Sequence, residues 1–365
     1  IRDIFLGNVM ENIENIYGLL PEEIEELINK IVEALNIVKD RKNTNSRFVD
    51  SEKSKIVCPR CNSEHIIKNG HDKNKVQTYQ CKDCNKKFNA CTNTLVFHVK
   101  LTYEQLLIFF ECMDDKLSIR KTAAKMNVNK NTVFLLRHKV LDCISVIRKN
   151  IKLRGTAEGD ETYESINLKG TKKENMPRFS KPRSSNNRIS KRGINNHQVC
   201  IASVIDEYDN FFLEIVGTGP ITSLEVEQAF YNKLNDVTCL ITDCKSSYEK
   251  FAKDNSIRLE QVKSGTYKND NGYSLGNINS LHSELATFIS RFRGVSTKHL
   301  QHYLDWFSFQ KIISYTTETL KRPLTMMKKA TVNKCNINSN NIYDNSSGIN
   351  FNEVYAEYNY SPLTN

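Results

Sequence analysis

Four cysteines form two CxxC pairs, Cys58 with Cys61 and Cys81 with Cys84. The pairs are about twenty residues apart, a spacing typical of zinc-binding modules. Each pair suits a tight turn that directs two thiolates at one ion, and two such turns complete a closed tetrahedral site. The sequence therefore predicts a zinc ribbon with one structural Zn²⁺. The alternatives are disulfides or two chance pairs.

Two aspartates form a second group with chemical potential. Asp160 lies within a predicted strand at 156–164, and Asp243 ends a short apolar run at 237–243. Carboxylate oxygens are the ligands that Mg²⁺ prefers, and paired ions can activate a nucleophile and stabilise a leaving oxygen. A lone buried aspartate at a strand end can instead be structural, holding backbone N–H groups.

A long predicted helix at 277–292 supplies candidates for a third ligand. Asn279 and His282 are three residues apart and share one helical face. On the first strand, Glu158 shares a face with Asp160 and is a reserve carboxylate, whereas Glu161 faces the opposite side. Because an imidazole nitrogen is a softer ligand than a carboxylate, His282 favours Mn²⁺ relative to Mg²⁺.

The elements that must position these acids follow a recognisable order. After the strand at 156–164, we predict strands at 197–205 and 210–216, a helix at 222–234, the strand at 237–243, a helix at 246–254 and a strand at 257–262. The helix at 277–292 comes next, and another runs from Gln310 through Lys328. Three strands followed by alternating helices and strands predict a ribonuclease H-like mixed sheet covered by helices, with the acid-bearing strands adjacent.

The region before this sheet has the outline of a helix-turn-helix. Ser118 caps a short helix, residues 127–129 form a turn, and a longer basic helix follows. In that outline, four residues would face a DNA groove: Lys130, Asn131, Thr132 and Arg137. An ordinary helical hairpin is the alternative.

The chain is basic, with a formal net charge of +10, and this charge favours a polyanionic partner. A loop at 168–193 is rich in lysine and arginine and is predicted to be flexible and to meet phosphates. The alternative is a merely solvated loop. The predicted DNA contacts from this loop are Lys172, Lys173, Lys181 and Arg183, and the end of the long helix adds Arg291 and Arg293.

The predicted organisation is multidomain α+β. A helical lead at 1–50 precedes the zinc ribbon at 51–98 and the helix-turn-helix region at 100–150. The ribonuclease H-like α/β core with its basic loop spans 155–310, and 311–365 holds a helix and an Asn-rich tail that is predicted to be disordered. Without an apolar run of about twenty residues or a secretory signal, a reducing cytoplasm is expected rather than a membrane.

Three motifs resemble bacterial insertion-sequence transposases of the DDE type, in the ISXO-like group that carries an N-terminal zinc ribbon. GDETYES is similar to the first-aspartate strand and matches Asp160, and ITDCKSSYEKF is similar to the second and matches Asp243. The segment at 277–309 resembles the terminal catalytic helix and the GVSxKxLxxYLxxF signature after it. This chain departs from the pattern at His282, where many relatives have Glu, and has Asn279 where Asn is common.

The resemblance implies a DNA transposase that binds insertion-sequence ends. Water would cleave the ends, and the freed 3′-hydroxyl would transfer the strand without a covalent enzyme intermediate. The implied cofactors are Zn²⁺ and Mg²⁺ or Mn²⁺. DNA is the implied partner, with a homo-oligomer in the active complex at the nucleoid of a bacterium. The alternatives are an inactive, domesticated zinc-ribbon DNA-binding protein and a structure-specific nuclease such as a Holliday-junction resolvase.

Overall fold

The computed structural model describes residues 56–72, 76–97, 99–170 and 193–335, and five isolated positions, 337, 342, 349, 350 and 354. The predicted lead at 1–50, most of the basic loop with Lys172, Lys173, Lys181 and Arg183, and most of the tail lie outside the described residues. The chain divides into two compact units. The first unit comprises the ribbon region up to Thr92 together with residues 96–106. The second unit comprises residues 93–95 and all residues from Leu107 onward.

The first unit contains a small antiparallel sheet in chain order, made by β1 (Ile66–His71), β2 (Gln77–Cys81) and β3 (Lys87–Asn89). Its hydrophobic core is small. Phe88 is buried beside Cys58 and Cys81, and the rings of Tyr79 and Phe88 stack with centroids 5.7 Å apart. A core this small contributes little stability to a three-stranded sheet.

The helical region begins with α1 (Tyr103–Asp114), α2 (Ile119–Met126), α3 (Lys130–Ile144) and α4 (Val146–Asn150). The helices α2 and α3 are joined by a short turn at residues 127–129, where the helix-turn-helix was predicted. The Ser118 hydroxyl accepts a hydrogen bond from the Lys121 N–H, and Asn127 ends α2 in the left-handed region with φ 51°. The Asn129 side chain then caps α3 by accepting from the Asn131 N–H at 2.8 Å.

The central sheet has the order β6-β5-β4-β7-β8, with β4 (Arg154–Ser165), β5 (Gln198–Asp206), β6 (Phe211–Thr218), β7 (Asp236–Thr242) and β8 (Arg258–Gln261). The first three strands pair antiparallel, whereas β4 with β7 and β7 with β8 pair parallel. The predicted mixed sheet is present in the predicted strand order, and the two strands that carry the acids are adjacent.

Helices cover both faces of this sheet. On one face α5 (Ser223–Phe230) and α6 (Ser246–Asp254) bring Phe230 and Tyr248 against Val204 and Leu240. On the other lie α7 (Gly276–Ser290), a 3-10 turn at Thr297–His299 and α8 (Leu300–Thr316), where Phe288, Trp306 and Phe307 pack together. None of the described helices has the length and apolar character needed to cross a membrane.

The helix predicted from Gln310 through Lys328 is wrong in its bounds. Gln310 lies inside α8, the chain turns at 317–321, and α9 (Arg322–Val332) begins anew. Pro323 explains the break, because proline lacks the N–H that a continuing helix requires but fits the first turn of a new one.

The prediction that Arg137 faces a DNA groove is also wrong. Its side chain is 1% exposed, and its guanidinium donates to the Leu117 carbonyl at 2.8 Å and lies 5.2 Å from the centre of the Trp306 ring. The basic second half of α3 therefore belongs to the core of the second unit, because α8 and α9 pack against it.

Truncating Arg137 tests this structural role. We expect Arg137→Ala to lower the free energy of unfolding by about 2–4 kcal/mol, since it leaves a cavity and an unpaired carbonyl. Chemical denaturation of the purified chain measures the change. Arg120→Ala, an exposed arginine on α2, is the control and should change stability by less than about 0.5 kcal/mol. Unchanged stability in Arg137→Ala would contradict the assignment.

Candidate active site and metal centre

Asp160 and Asp243 lie at the same end of two neighbouring parallel strands. Glu158 on β4 is in register with Ile241 on β7, and continuing that register by two residues brings Asp160 beside Asp243, just past the end of β7. Neighbouring strands are about 4.8 Å apart. Both carboxylates keep access to solvent, with 21% and 30% of their side chains exposed.

The surroundings of Asp160 disfavour its charged form. Burial raises the pKa of its carboxyl to about 6, and the negative charges of Glu161 and Asp243 act in the same direction. The Glu161 N–H donates to Asp160 Oδ1 at 2.9 Å, and the nearby Lys245 ammonium also opposes the rise. Because the protein supplies little positive charge to balance a negative Asp160, this carboxylate is suited to binding a cation.

The hydrogen bonds of Ser203 define the orientation of His282. Ser203 pairs with Asp160 across β4 and β5, and its hydroxyl donates to the Asp160 carbonyl at 3.0 Å. The same hydroxyl oxygen is 2.6 Å from His282 Nε2. Because a hydroxyl has one proton and Ser203 has donated it, His282 Nε2 must carry the proton of this second bond.

The other ring nitrogen of His282 is then unprotonated and faces the acid. Nδ1 is 4.0 Å from Asp160 Oδ2, and burial lowers the pKa of the imidazole to about 4, so the ring is neutral near pH 7. Two ligands that each lie about 2.1 Å from one ion are about 3–4.2 Å apart, depending on their angle. The Nδ1 to Oδ2 distance fits within that range.

The remaining sequence candidates have other positions. Asn279 is exposed, and its amide forms no hydrogen bond to Asp160, Asp243 or His282. Glu158 instead accepts from the Asn277 amide and the Ile278 N–H, both at 2.9 Å, and so caps the first turn of α7. Within the described residues, the ligand atoms of Asp160, Asp243 and His282 do not all come within 4.8 Å of one another.

The sequence analysis did not identify Lys245, the positively charged side chain in this site. Lys245 is 3.0 Å from Asp243 Oδ2 and also forms an ion pair with Glu161, whose carboxylate is fully buried. The Tyr248 hydroxyl donates to the other carboxylate oxygen of Glu161 at 2.6 Å. The pKa of Lys245 is raised because these two acids outweigh the effect of its burial. A lysine two residues after the second aspartate was the available signal.

The four cysteines predicted as zinc ligands converge in the first unit. Their sulfur atoms all lie within 4.8 Å of one another, and Cys58 to Cys84 and Cys61 to Cys81 are each 3.6 Å apart. Four sulfurs about 2.3 Å from one Zn²⁺ would be about 3.8 Å apart. These distances fit a tetrahedral ion and are far beyond a disulfide bond of about 2.05 Å.

Backbone geometry shapes both cysteine turns. The Asn62 N–H donates to the Cys58 carbonyl and the Cys81 N–H to the Lys86 carbonyl, while Asn62 and Asn85 adopt positive φ angles of 58° and 55°. Burial raises the pKa of the Cys58 thiol, but backbone N–H groups of Cys61 and Arg60 outweigh it and bring the pKa to about 6. The thiolate, the form that binds metal, is thereby favoured at Cys58, whereas the pKa values of Cys61 and Cys84 are raised by burial and by the neighbouring cysteine sulfurs.

The predicted DNA contacts differ in accessibility. Lys130, Asn131 and Thr132 are exposed at the start of α3, and Arg291 and Arg293 are exposed after α7.

Arg291 borders a cleft of about 450 Å³ between α7, α8 and the start of α9. Three further cations line this cleft, Lys116, Lys311 and Arg322, together with two acids, Asp114 and Glu284, the second of which pairs with Lys311 at 2.6 Å. Burial and then the charges of Arg291 and Arg322 lower the pKa of Lys116, as expected where cations crowd together.

Comparisons with known proteins place these features in context. No protein-family profile matches the chain. The chain is 26% identical over 266 residues to an uncharacterized protein in transposable element ISH50 of Halobacterium salinarum, covering 70% of this chain and 85% of that protein.

Among solved structures, the Mos1 strand transfer complex matches 63% of this chain and 75% of its own, at 12% identity and a TM-score of 0.26. A pre-cleavage Mos1 transpososome matches 63% and 79%, at 11% identity and a TM-score of 0.21. The chain is a relative of a transposable-element protein, and its predicted resemblance to insertion-sequence transposases is confirmed.

Proposed function

We propose that this chain is a metal-dependent DNA transposase that cleaves the ends of its element and joins the freed 3′-hydroxyl to target DNA. One observation carries the proposal: two aspartates lie side by side on parallel strands, and His282 Nδ1 lies 4.0 Å from Oδ2 of the first of them. A protein that only binds DNA gains nothing from carboxylates that repel phosphate. The relationship to a protein of a transposable element supports the same function.

Asp160, Asp243 and His282 are the residues that would hold a divalent cation, Mg²⁺ or Mn²⁺. When bound, such a cation neutralises phosphate charge and lowers the pKa of an attacking water. The nitrogen ligand favours Mn²⁺. Ser203 orients the imidazole through Nε2, and Lys245 offsets the charge of Asp243 and Glu161 where DNA phosphates would approach.

Replacing either aspartate tests the activity. We expect Asp160→Asn and Asp243→Asn each to reduce Mn²⁺-dependent cleavage and strand transfer by at least about 10²–10³-fold, because each removes a negative charge that would hold the divalent cation at the reacting phosphate. DNA binding should persist or tighten. A gel assay with DNA carrying the ends of the element measures both.

Asp270→Asn, an exposed aspartate in the loop before α7, is the matched control and should be fully active. Retained strand transfer in Asp243→Asn would exclude the proposed site. A wild-type chain that binds the ends but cleaves nothing with either ion would identify the domesticated DNA-binding alternative.

The role of Ser203 can be separated from a general packing effect by a double-mutant cycle. We expect Ser203→Ala to weaken Mn²⁺-dependent activity about 10–100-fold, since the imidazole loses the partner that fixes its tautomer. In a His282→Glu chain, which we expect to be active, the same change should have little further effect because a carboxylate has no tautomer to fix. Ser283→Ala, exposed on α7, serves as control. Equal losses in both backgrounds would refute this role.

We further propose that a structural Zn²⁺ is bound by Cys58, Cys61, Cys81 and Cys84, and that the ribbon binds DNA. Cys61→Ser should lose one zinc per chain and unfold the ribbon, because zinc binding supplies the folding free energy of such small modules. Elemental analysis and limited proteolysis measure these effects. Cys244→Ser, an exposed cysteine outside the ribbon, should keep its zinc. A Cys61→Ser chain with unchanged zinc content would argue against the site.

The cationic cleft beside α7 is proposed to bind the DNA backbone, together with the exposed start of α3. The double change Arg291→Ala/Arg322→Ala should weaken DNA binding for all sequences. It should also reduce the slope of log affinity against log salt by about 0.9 for each phosphate that the protein no longer neutralises. Fluorescence anisotropy at several salt concentrations gives this slope. Lys250→Ala/Lys253→Ala, on the exposed surface of α6, is the matched control. Identical slopes in the two double variants would rule out the cleft.

A further inference from the structure

Three buried histidines meet in the second unit, away from the aspartate pair. His138 lies on α3, His299 ends the 3-10 turn and His302 lies in the first turn of α8, with exposures of 2%, 7% and 8%. The ring centroids of His138 and His299 are 4.2 Å apart, and those of His138 and His302 are 6.2 Å apart. One ligand nitrogen from each ring lies within 4.8 Å of the other two.

Packing alone does not account for this cluster. The Nδ1 atoms of His138 and His302 are fully buried and have no hydrogen-bond partner. Buried polar atoms are nearly always paired, so two unpaired nitrogens in one cluster require an explanation. Phe134 borders two of the rings, which adds apolar surface but no polar partner.

The rings are in the protonation state that binds metals. Burial lowers the pKa of His138 to about 2 and that of His299 to about 3, and neighbouring positive charges add to both effects. Burial also lowers the pKa of His302. Burial therefore favours the neutral form of all three imidazoles, which is the form that coordinates metals.

We propose that His138, His299 and His302 bind a second Zn²⁺, in addition to the one proposed for the ribbon. Three imidazole nitrogens are a common ligand set for this ion, with Zn–N bonds of about 2.0–2.1 Å. Tetrahedral geometry then requires nitrogens about 3.4 Å apart, so nitrogens now within 4.8 Å need to approach by about 1.4 Å or less.

Charges of both signs surround the cluster: Lys298 and Arg148 oppose a bound cation, whereas Asp142 favours one. Arg137 is adjacent in sequence, but its guanidinium is directed to the Leu117 carbonyl and the Trp306 ring. Asp142 lies one helical turn after His138 on α3, and its charge acts on His302 in the direction that favours positive charge. This carboxylate partly balances the ion, as acids near metal-binding histidines commonly do.

The position of the cluster indicates a structural rather than a catalytic ion. His138 belongs to the second helix of the helix-turn-helix pair, whereas His299 and His302 flank Gln301 at the start of α8. The Gln301 side chain accepts from the Ile215 N–H at 2.9 Å and donates to the Leu213 carbonyl at 3.1 Å, which fixes this end of α8 to β6. Zinc here would join the helix pair to the central sheet.

Metal counting tests the proposal in the full chain. Protein purified with added Zn²⁺ and then dialysed should contain two zinc ions per chain by elemental mass spectrometry. His138→Gln and His302→Gln should each reduce this to one, as should Cys61→Ser/Cys84→Ser. His71→Gln, an exposed histidine, should still contain two. A wild-type chain with one zinc that the cysteine changes remove, or a His302→Gln chain with two, would overturn the proposal.

A second measurement covers the case in which the histidine variants fold poorly. The Cys61→Ser/Cys84→Ser chain keeps all three histidines, so adding Zn²⁺ after chelation should raise its Tm in a saturable manner. Co²⁺ should give visible d–d absorption without thiolate charge-transfer bands. No Tm shift and no Co²⁺ spectrum would overturn the site. Neither measurement depends on DNA cleavage, so failure here is distinguishable from failure of the proposed transposase activity.

Discussion

Repulsion between carboxylates is the constraint on which the centre of this structure depends. Parallel pairing of β4 with β7 brings Asp160, Glu161 and Asp243 to one end of the sheet, and Glu161 is buried there. Lys245 and the Tyr248 hydroxyl compensate Glu161 on the α6 face, while Asp160 keeps a raised pKa on the α7 face. The protein thus sets Lys245 and a hydroxyl against the buried acid, shares that lysine with Asp243, and leaves Asp160 with an unmet demand for positive charge.

The two faces of β4 consequently have different roles. Side chains alternate along a strand, so Glu158 and Asp160 face α7, whereas Glu161 faces α6. Glu158 uses its charge to cap α7, the helix that carries His282, and thereby fixes where that helix begins. One strand therefore supplies the first candidate ligand and also anchors the helix that supplies the third.

Much of this arrangement could be predicted because it depends on local patterns. Alternating and continuous apolar runs gave the strands, and their order indicated that β4 and β7 would be neighbours. The contacts of Ser203 and Lys245 depend on residues about 80 positions away. The meeting of His138 with His302 likewise joins distant parts of the chain, and no spacing rule reveals such pairs. Arg137 was misassigned for a related reason: a helix-turn-helix outline does not say which half of its second helix other helices will cover.

The burial of α3 has a mechanical consequence. The N-terminal turn of the helix, with Lys130, Asn131 and Thr132, is open to solvent, but its C-terminal half is enclosed by α8 and α9. α8 is in turn hydrogen-bonded to β6. If the open turn contacts DNA, the helix cannot rotate independently of the central sheet, which carries the proposed active site. The number of base pairs between the sequence that is read and the phosphate that is cut would then be set by a rigid internal distance rather than by a linker.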